Sequence, residues 1–138
     1  MGIEVWLETY DWASYATTAA AIVRMAGYGD TGIHYDNMHP YRMGEPLDIT
    51  IADLGHPLRH THYHDAVSDD QKVVVCPVEK GDLPSDQMFA ALIKMGFDGY
   101  LGGEWFYDQY GENIGATLSA YHKDMTGLAS RYYDMHLG

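Results

Sequence analysis

The run Ile3-Glu4-Val5-Trp6-Leu7-Glu8 reads as a β-strand, and Thr9-Tyr10-Asp11-Trp12 follows it directly. β-Branched and aromatic residues favour the strand. A doubly wound, dinucleotide-binding sheet carries a glycine-rich phosphate turn straight after its first strand. Here that place holds a glutamate, a threonine, two aromatic residues and an aspartate, with no glycine. A carboxylate at a strand end suits a parallel barrel instead, because its C-terminal strand ends converge on one functional face.

Working outward, residues 14–25 are rich in alanine, with apolar residues at helical spacing, and Gly27 ends the run. Residues 31–36 form a second short strand candidate. Residues 37–47 are loop-like, broken by Pro40, Gly44 and Pro46. A short helix is expected over 49–54 and a third strand over 58–64. Residues 66–82 read as a long connection holding the apolar run 73–75. Ser85, preceded by Pro84, is the expected N-cap of a helix over 86–95, which Gly96 stops. A fourth strand is expected over 100–104. From Gly111 onward, Ile114, Leu118, Tyr121, Met125 and Leu128 mark a long amphipathic helix.

The order is therefore strand then helix, four times. Such alternation implies an α/β chain with a parallel sheet and right-handed crossovers. Four units in 138 residues are about 34 residues each, against roughly 31 in a barrel of about 250 residues. The expectation is a single domain over residues 1–138, half of a (β/α)8 TIM barrel built from four parallel βα units. Periodicity alone leaves the doubly wound sheet open; the turn after the first strand favours the barrel.

The chain has 8 Lys and Arg against 20 Asp and Glu, a formal net charge of -12. That field repels phosphate backbones and anionic bilayers, so neither nucleic acid nor membrane is an expected partner. Much of the acidity reads as solvated surface. Cys76 is the only cysteine, which excludes an internal disulfide framework and points to a reducing, cytoplasmic setting. The first residues have no basic region and no long apolar run of the signal-peptide kind.

Each strand end carries a potential ligand. These are Glu8, then Asp36 with His39 three residues on, then His60, His62, His64 and Asp65, then Glu104. Taken singly, a carboxylate at a strand end is commonly a solvated cap, and a strand histidine is often structural. Together, two glutamates, an aspartate and an imidazole brought to one barrel mouth make an oxygen-rich site. It suits Mn²⁺, Mg²⁺ or Co²⁺, and Zn²⁺ is also accommodated. Trp6, Tyr10, Trp12, Trp105, Phe106 and Tyr107 flank the first and last of these positions. They read either as core packing or as a wall on which a sugar stacks.

Glu8 in Val-Trp-Leu-Glu-Thr-Tyr-Asp, Asp36-Asn37-Met38-His39, His62 in His-Thr-His-Tyr-His-Asp-Ala and Glu104 in Gly-Gly-Glu-Trp resemble the xylose-isomerase-like sugar isomerase/epimerase superfamily. Lys80-Gly81-Asp82-Leu83-Pro84, then Met88, Phe89 and Leu92, are similar to the segment before the last strand there. The likeness covers nearly the whole chain but about the last half of the family's barrel. It implies a divalent metal, Mn²⁺ foremost, on Glu8, Asp36, His62 and Glu104. It also implies that Glu8 and Glu104 act as an acid/base pair. His39, His64, Trp12 and Trp105 are then the expected substrate contacts, with a role for His64 in orienting neighbouring ligands as the alternative.

The implied chemistry is proton abstraction beside a carbonyl through an enediolate, on a sugar or polyol, in carbohydrate metabolism. A metal-dependent lyase acting on oxidised glycosides would use the same groups. A non-catalytic half-barrel subunit that merely retains the ligands is the other reading. Ser68 stands where ketohexose 3-epimerases have an arginine, and Ser14 where they have a glutamate. These departures set the chain apart from that subgroup. DNA-repair endonucleases with this fold use a basic groove, which the charge opposes.

Four strands do not close an eight-stranded barrel. Completion is expected either by self-association into a homodimer or by a complementary N-terminal half-barrel.

Overall fold

The computed structural model describes residues 2–27, 29–69, 72–105 and 113–136. It divides into two compact units, Met1–Tyr63 with Ala91–Gly102, and His64–Ala90 with Gly103–Gly138.

The first unit is built on a four-stranded parallel sheet. Its strands are β1 (Val5–Glu8), β2 (Thr31–Asp36), β3 (Leu58–His62) and β6 (Leu101–Gly102), in the order β1-β2-β3-β6. Four parallel strands joined through helices are half the complement of a (β/α)8 barrel. The register sets Glu8 opposite His34, His34 opposite His60, and Asp36 opposite His62. A register shift falls between Ile33 and His34.

Side chains alternate across a strand. Ile33 and Tyr35 of β2 are buried among the core residues. His34 and Asp36 take the opposite face, which they share with His60 and His62 of β3. That face is the one a closed barrel turns inward.

A 3₁₀ turn, Asp11–Ala13, leads from β1 toward helix α1 (Ala16–Ala26). Ala16, Ala19, Ala20 and Val23 are buried at the spacing of one helical face. Small alanines let α1 lie close against β2 and against α3 (Leu47–Leu54). No side chain at Tyr15 caps α1. The buried carboxylate of Glu45 takes that place from a distance. It accepts the Ala16 N–H at 3.0 Å, the Thr17 N–H at 3.1 Å and the Thr17 and Thr50 hydroxyls at 2.8 Å each. A negative group at a helix N-terminus also complements the macrodipole. Gly27, at φ 94°, ends the helix with its N–H on the Arg24 and Val23 carbonyls.

Three expectations change here. Residues 37–47 are not all loop, since Met38–Arg42 forms the short helix α2. The third strand stops at His62 rather than at residue 64, and the fourth is two residues long.

In the second unit the segment 66–82 is not a plain connection. β4 (Asp65–Asp69) and β5 (Lys72–Cys76) pair antiparallel, from Asp65 opposite Cys76 to Asp69 opposite Lys72. Ser85 is the first residue of α4 (Ser85–Lys94) rather than its cap, and its hydroxyl reaches Asp65 Oδ2 at 3.2 Å. Asp65 is wholly buried. Its carboxylate also accepts the N–H groups of Ala66 at 2.8 Å, Gly81 at 3.0 Å and Leu83 at 3.1 Å. One side chain thereby ties the start of the hairpin to the turn that opens α4. A Cβ at Gly81 would meet the Asp65 carboxylate and the Ala66 carbonyl, so the close approach needs glycine.

Helix α5 runs Ile114–His136. Met125 and Leu128 are buried, whereas Ile114 and Leu118 are about half exposed. Tyr132 packs on Phe89 with ring centroids 5.3 Å apart and donates its hydroxyl to the Asp86 carbonyl at 2.8 Å. Arg131 pairs with Glu79 and Asp86. The expected helix start at Gly111 lies outside the described residues. No described helix is long and apolar enough to cross a membrane.

Candidate metal centre

Three of the four expected ligands come together within the first unit. Glu8 ends β1, Asp36 ends β2 and His62 ends β3. Each offers a donor atom within 4.8 Å of the others'. Parallel pairing of three neighbouring strands is the cause, since it delivers their C-terminal residues to one edge of the sheet.

The site is fixed from beneath by backbone and hydroxyl contacts. Thr9 donates its hydroxyl to the Asp36 carbonyl at 3.1 Å and accepts the Asp36 N–H at 2.8 Å. The Met38 N–H donates to Asp36 Oδ1 at 2.8 Å. Asp36 is fully buried. Glu8 and His62 are partly exposed, and His62 Nδ1 lies 2.9 Å from Glu8 Oε1. This hydrogen bond holds the Glu8 carboxyl below the usual range, against a raising influence of burial. Asp36 pushes the other way by like-charge repulsion. Two carboxylates this close, one wholly buried, form a site whose repulsion a cation relieves. The donor set therefore fits a divalent ion of the Mn²⁺, Mg²⁺ or Co²⁺ kind.

His39 stands at the rim, its Nε2 4.0 Å from Asp36 Oδ2. The ring of Tyr10 meets it edge-on with centroids 4.8 Å apart. Trp12, in the 3₁₀ turn, is 72% exposed, so it is not a core residue. Trp6 is also partly exposed and stacks on His60 at 5.9 Å.

The remaining expected residues lie in the second unit. Glu104 comes two residues after β6. His64 is buried, with Nδ1 3.2 Å from the Glu104 carbonyl oxygen. Trp105 meets Tyr121 edge-on at 5.1 Å. Phe106 and Tyr107 lie outside the described residues.

The roles of two groups of side chains escaped the sequence reading. Glu45 was not singled out, and Asp65 was read only as a potential ligand, because most of the groups that their carboxylates hold are distant in the chain. His34 was invisible as a companion of His60 and His62 because only strand register brings it there. Its ring centroid lies 4.7 Å from that of His60 and 4.0 Å from that of His62. Burial, then the neighbouring His62, lowers the His34 pKa to about 4. Burial also lowers that of His60.

The second unit holds a cavity of about 210 Å³ whose lining includes His64, Cys76, Trp105 and Tyr121. Burial, reinforced by Asp65 and Asp82, pushes the Cys76 thiol from 9.0 to about 11. Two pKa units mean about a hundredfold less thiolate near neutrality. Alkylation of Cys76 by iodoacetamide at pH 8 is thus expected to run about a hundredfold slower than that of an unperturbed cysteine. It should accelerate about tenfold per pH unit up to pH 10. Mass-spectrometric labelling rates check this, and a rate that levels off below pH 9 would contradict it.

The family model described as xylose isomerase-like TIM barrel matches residues 1–126. A xylose isomerase domain protein from Planctomyces limnophilus superposes with a TM-score of 0.78 at 19% sequence identity. The alignment covers 95% of this chain and 48% of that one, so the chain spans about half of that structure's length. At this identity the superposition establishes the fold alone. No curated protein sequence matches the chain. The family match, which takes in β1 through most of α5, is sufficient for the assignment: the chain belongs to the xylose isomerase-like TIM barrel family.

Proposed function

We propose that the chain carries divalent-metal-dependent isomerase or epimerase chemistry on a small sugar or polyol. The observation that supports it best is the grouping of Glu8, Asp36 and His62 donor atoms within 4.8 Å at the ends of three parallel strands. Membership of a family that includes sugar isomerases and epimerases agrees with it. Glu8, Asp36 and His62 hold the ion in this reading, with Glu104 as the fourth ligand, and Mn²⁺ suits the donor set best. When bound there, the ion supplies Lewis-acid stabilisation of negative charge developing on the substrate oxygens.

Glu8 takes a proton from the carbon beside the carbonyl, leaving an enediolate. Glu104 exchanges protons at the opposite face. Two carboxylates on opposite sides of one carbon are what inversion of a stereocentre requires. His39, at the rim beside Asp36, hydrogen-bonds a substrate hydroxyl. Trp12 offers an exposed ring for stacking, and His64 and Trp105 complete the substrate contacts. A reducing, cytoplasmic setting goes with the single Cys76.

The test is solvent exchange. Incubation with Mn²⁺ and a panel of ketoses in D₂O is expected to place deuterium on the carbon next to the carbonyl, read by NMR. Absence of exchange from every sugar, with the metal shown to be bound, would favour a non-catalytic half-barrel.

β1 and β6 are the edges of the sheet, and a closed barrel needs four more strands. Pairing with a second copy supplies them in this proposal, with a complementary N-terminal half-barrel as the alternative partner. Light scattering should then give twice the chain mass of 15.5 kDa. A monomeric mass would exclude the homodimer.

A further inference from the structure

Below the carboxylate cluster, the same sheet face carries a second group of donors. His34 on β2 lies in register with His60 on β3, and His60 and His62 share a face as alternate residues. Each of the three rings offers a nitrogen within 4.8 Å of the others'. The rings meet edge-on, with His34 and His60 inclined at 69° and His34 and His62 at 68°. Three such imidazoles can aim nitrogens inward at a common point.

A second observation is independent of this grouping. The Nε2 atom of His34 is buried and has no hydrogen-bond partner among the described residues. A neutral imidazole has one donor and one acceptor nitrogen, and buried polar atoms are ordinarily satisfied. A ligand at Nε2 accounts for the unsatisfied atom.

We propose that His34, His60 and His62 form a second, nitrogen-rich metal site for a borderline transition ion such as Zn²⁺ or Cu²⁺. Three histidines with an open fourth position are an established zinc donor set, and imidazole prefers such ions to Mg²⁺ or Mn²⁺. His62 belongs to both groups. Its Nδ1 is held by Glu8, so recruitment of His62 into the imidazole site weakens the carboxylate site. Zn²⁺ then acts as an antagonist of the harder ion. This competition, unlike the imidazole site itself, rests on the proposed function of Glu8, Asp36 and His62.

The experiment is Cu²⁺ titration of metal-free protein, followed by electron paramagnetic resonance, beside a parallel Mn²⁺ titration. Wild type should bind one Cu²⁺ per chain with hyperfine structure from three nitrogens. His34→Ala and His60→Asn should each weaken Cu²⁺ binding at least tenfold and leave Mn²⁺ affinity within about twofold. Added Zn²⁺ should displace Mn²⁺ from wild type and do so at least tenfold less effectively in either variant. His60→Asn, at the more exposed ring, decides the matter if His34→Ala does not fold by circular dichroism. Cu²⁺ affinity unchanged in His60→Asn, or a signal from one nitrogen only, would overturn the imidazole site. Cu²⁺ bound as described with no Mn²⁺ bound would uphold that site and instead overturn the carboxylate reading.

Discussion

Replacing Asp65 by alanine is expected to lower the unfolding free energy by about 3–5 kcal/mol, the order expected when a buried, hydrogen-bonded charge is removed and its partners are left unsatisfied. The carboxylate is wholly buried and serves the N–H groups of Ala66, Gly81 and Leu83 as well as the Ser85 hydroxyl. Alanine leaves those donors without an acceptor in a place water does not readily reach. Asparagine keeps the shape but presents an amide N–H₂ toward one set of donors, so Asp65→Asn should fall between the two. Urea denaturation followed by circular dichroism measures the change. A loss under 1 kcal/mol for alanine would show that solvent takes over the donors and that the turn before α4 does not depend on this residue.

Substituting Glu8 by glutamine is expected to cut the deuterium exchange described above by about 10²–10⁴, the usual contribution of a positioned general base. Glutamine preserves size and removes the proton acceptor. It also removes the charge that His62 Nδ1 faces at 2.9 Å. The variant should still fold, because Glu8 is partly exposed and its hydrogen bond joins two side chains rather than two elements of backbone. Exchange within threefold of wild type would remove Glu8 from the chemistry.

The strand and helix alternation was legible because each βα unit has its own hydrophobic period and its own breaker. Gly27 and Gly96, both at positive φ, are such breakers. The ligand positions Glu8, Asp36 and His62 were legible for a related reason. A parallel sheet turns position along each strand into position along a common edge.

The β4–β5 hairpin was not legible. The sequence between the two strands lacks an Asn-Gly or Asp-Gly signal, and only residues 73–75 have strong β character. The cap that Glu45 provides for α1 joins residues 28 and 29 apart in sequence, beyond any local pattern. His34 illustrates the limit best. Its pairing with His60 depends on a register shift beside Ile33, which no reading of a single strand supplies.

Anomalous diffraction from crystals grown with Mn²⁺ tests the metal centre most directly. The expected result is one strong manganese peak within bonding distance of Glu8, Asp36 and His62, with Glu104 completing the set. A manganese peak bound by other side chains, or none with those three residues in the places described, would contradict it.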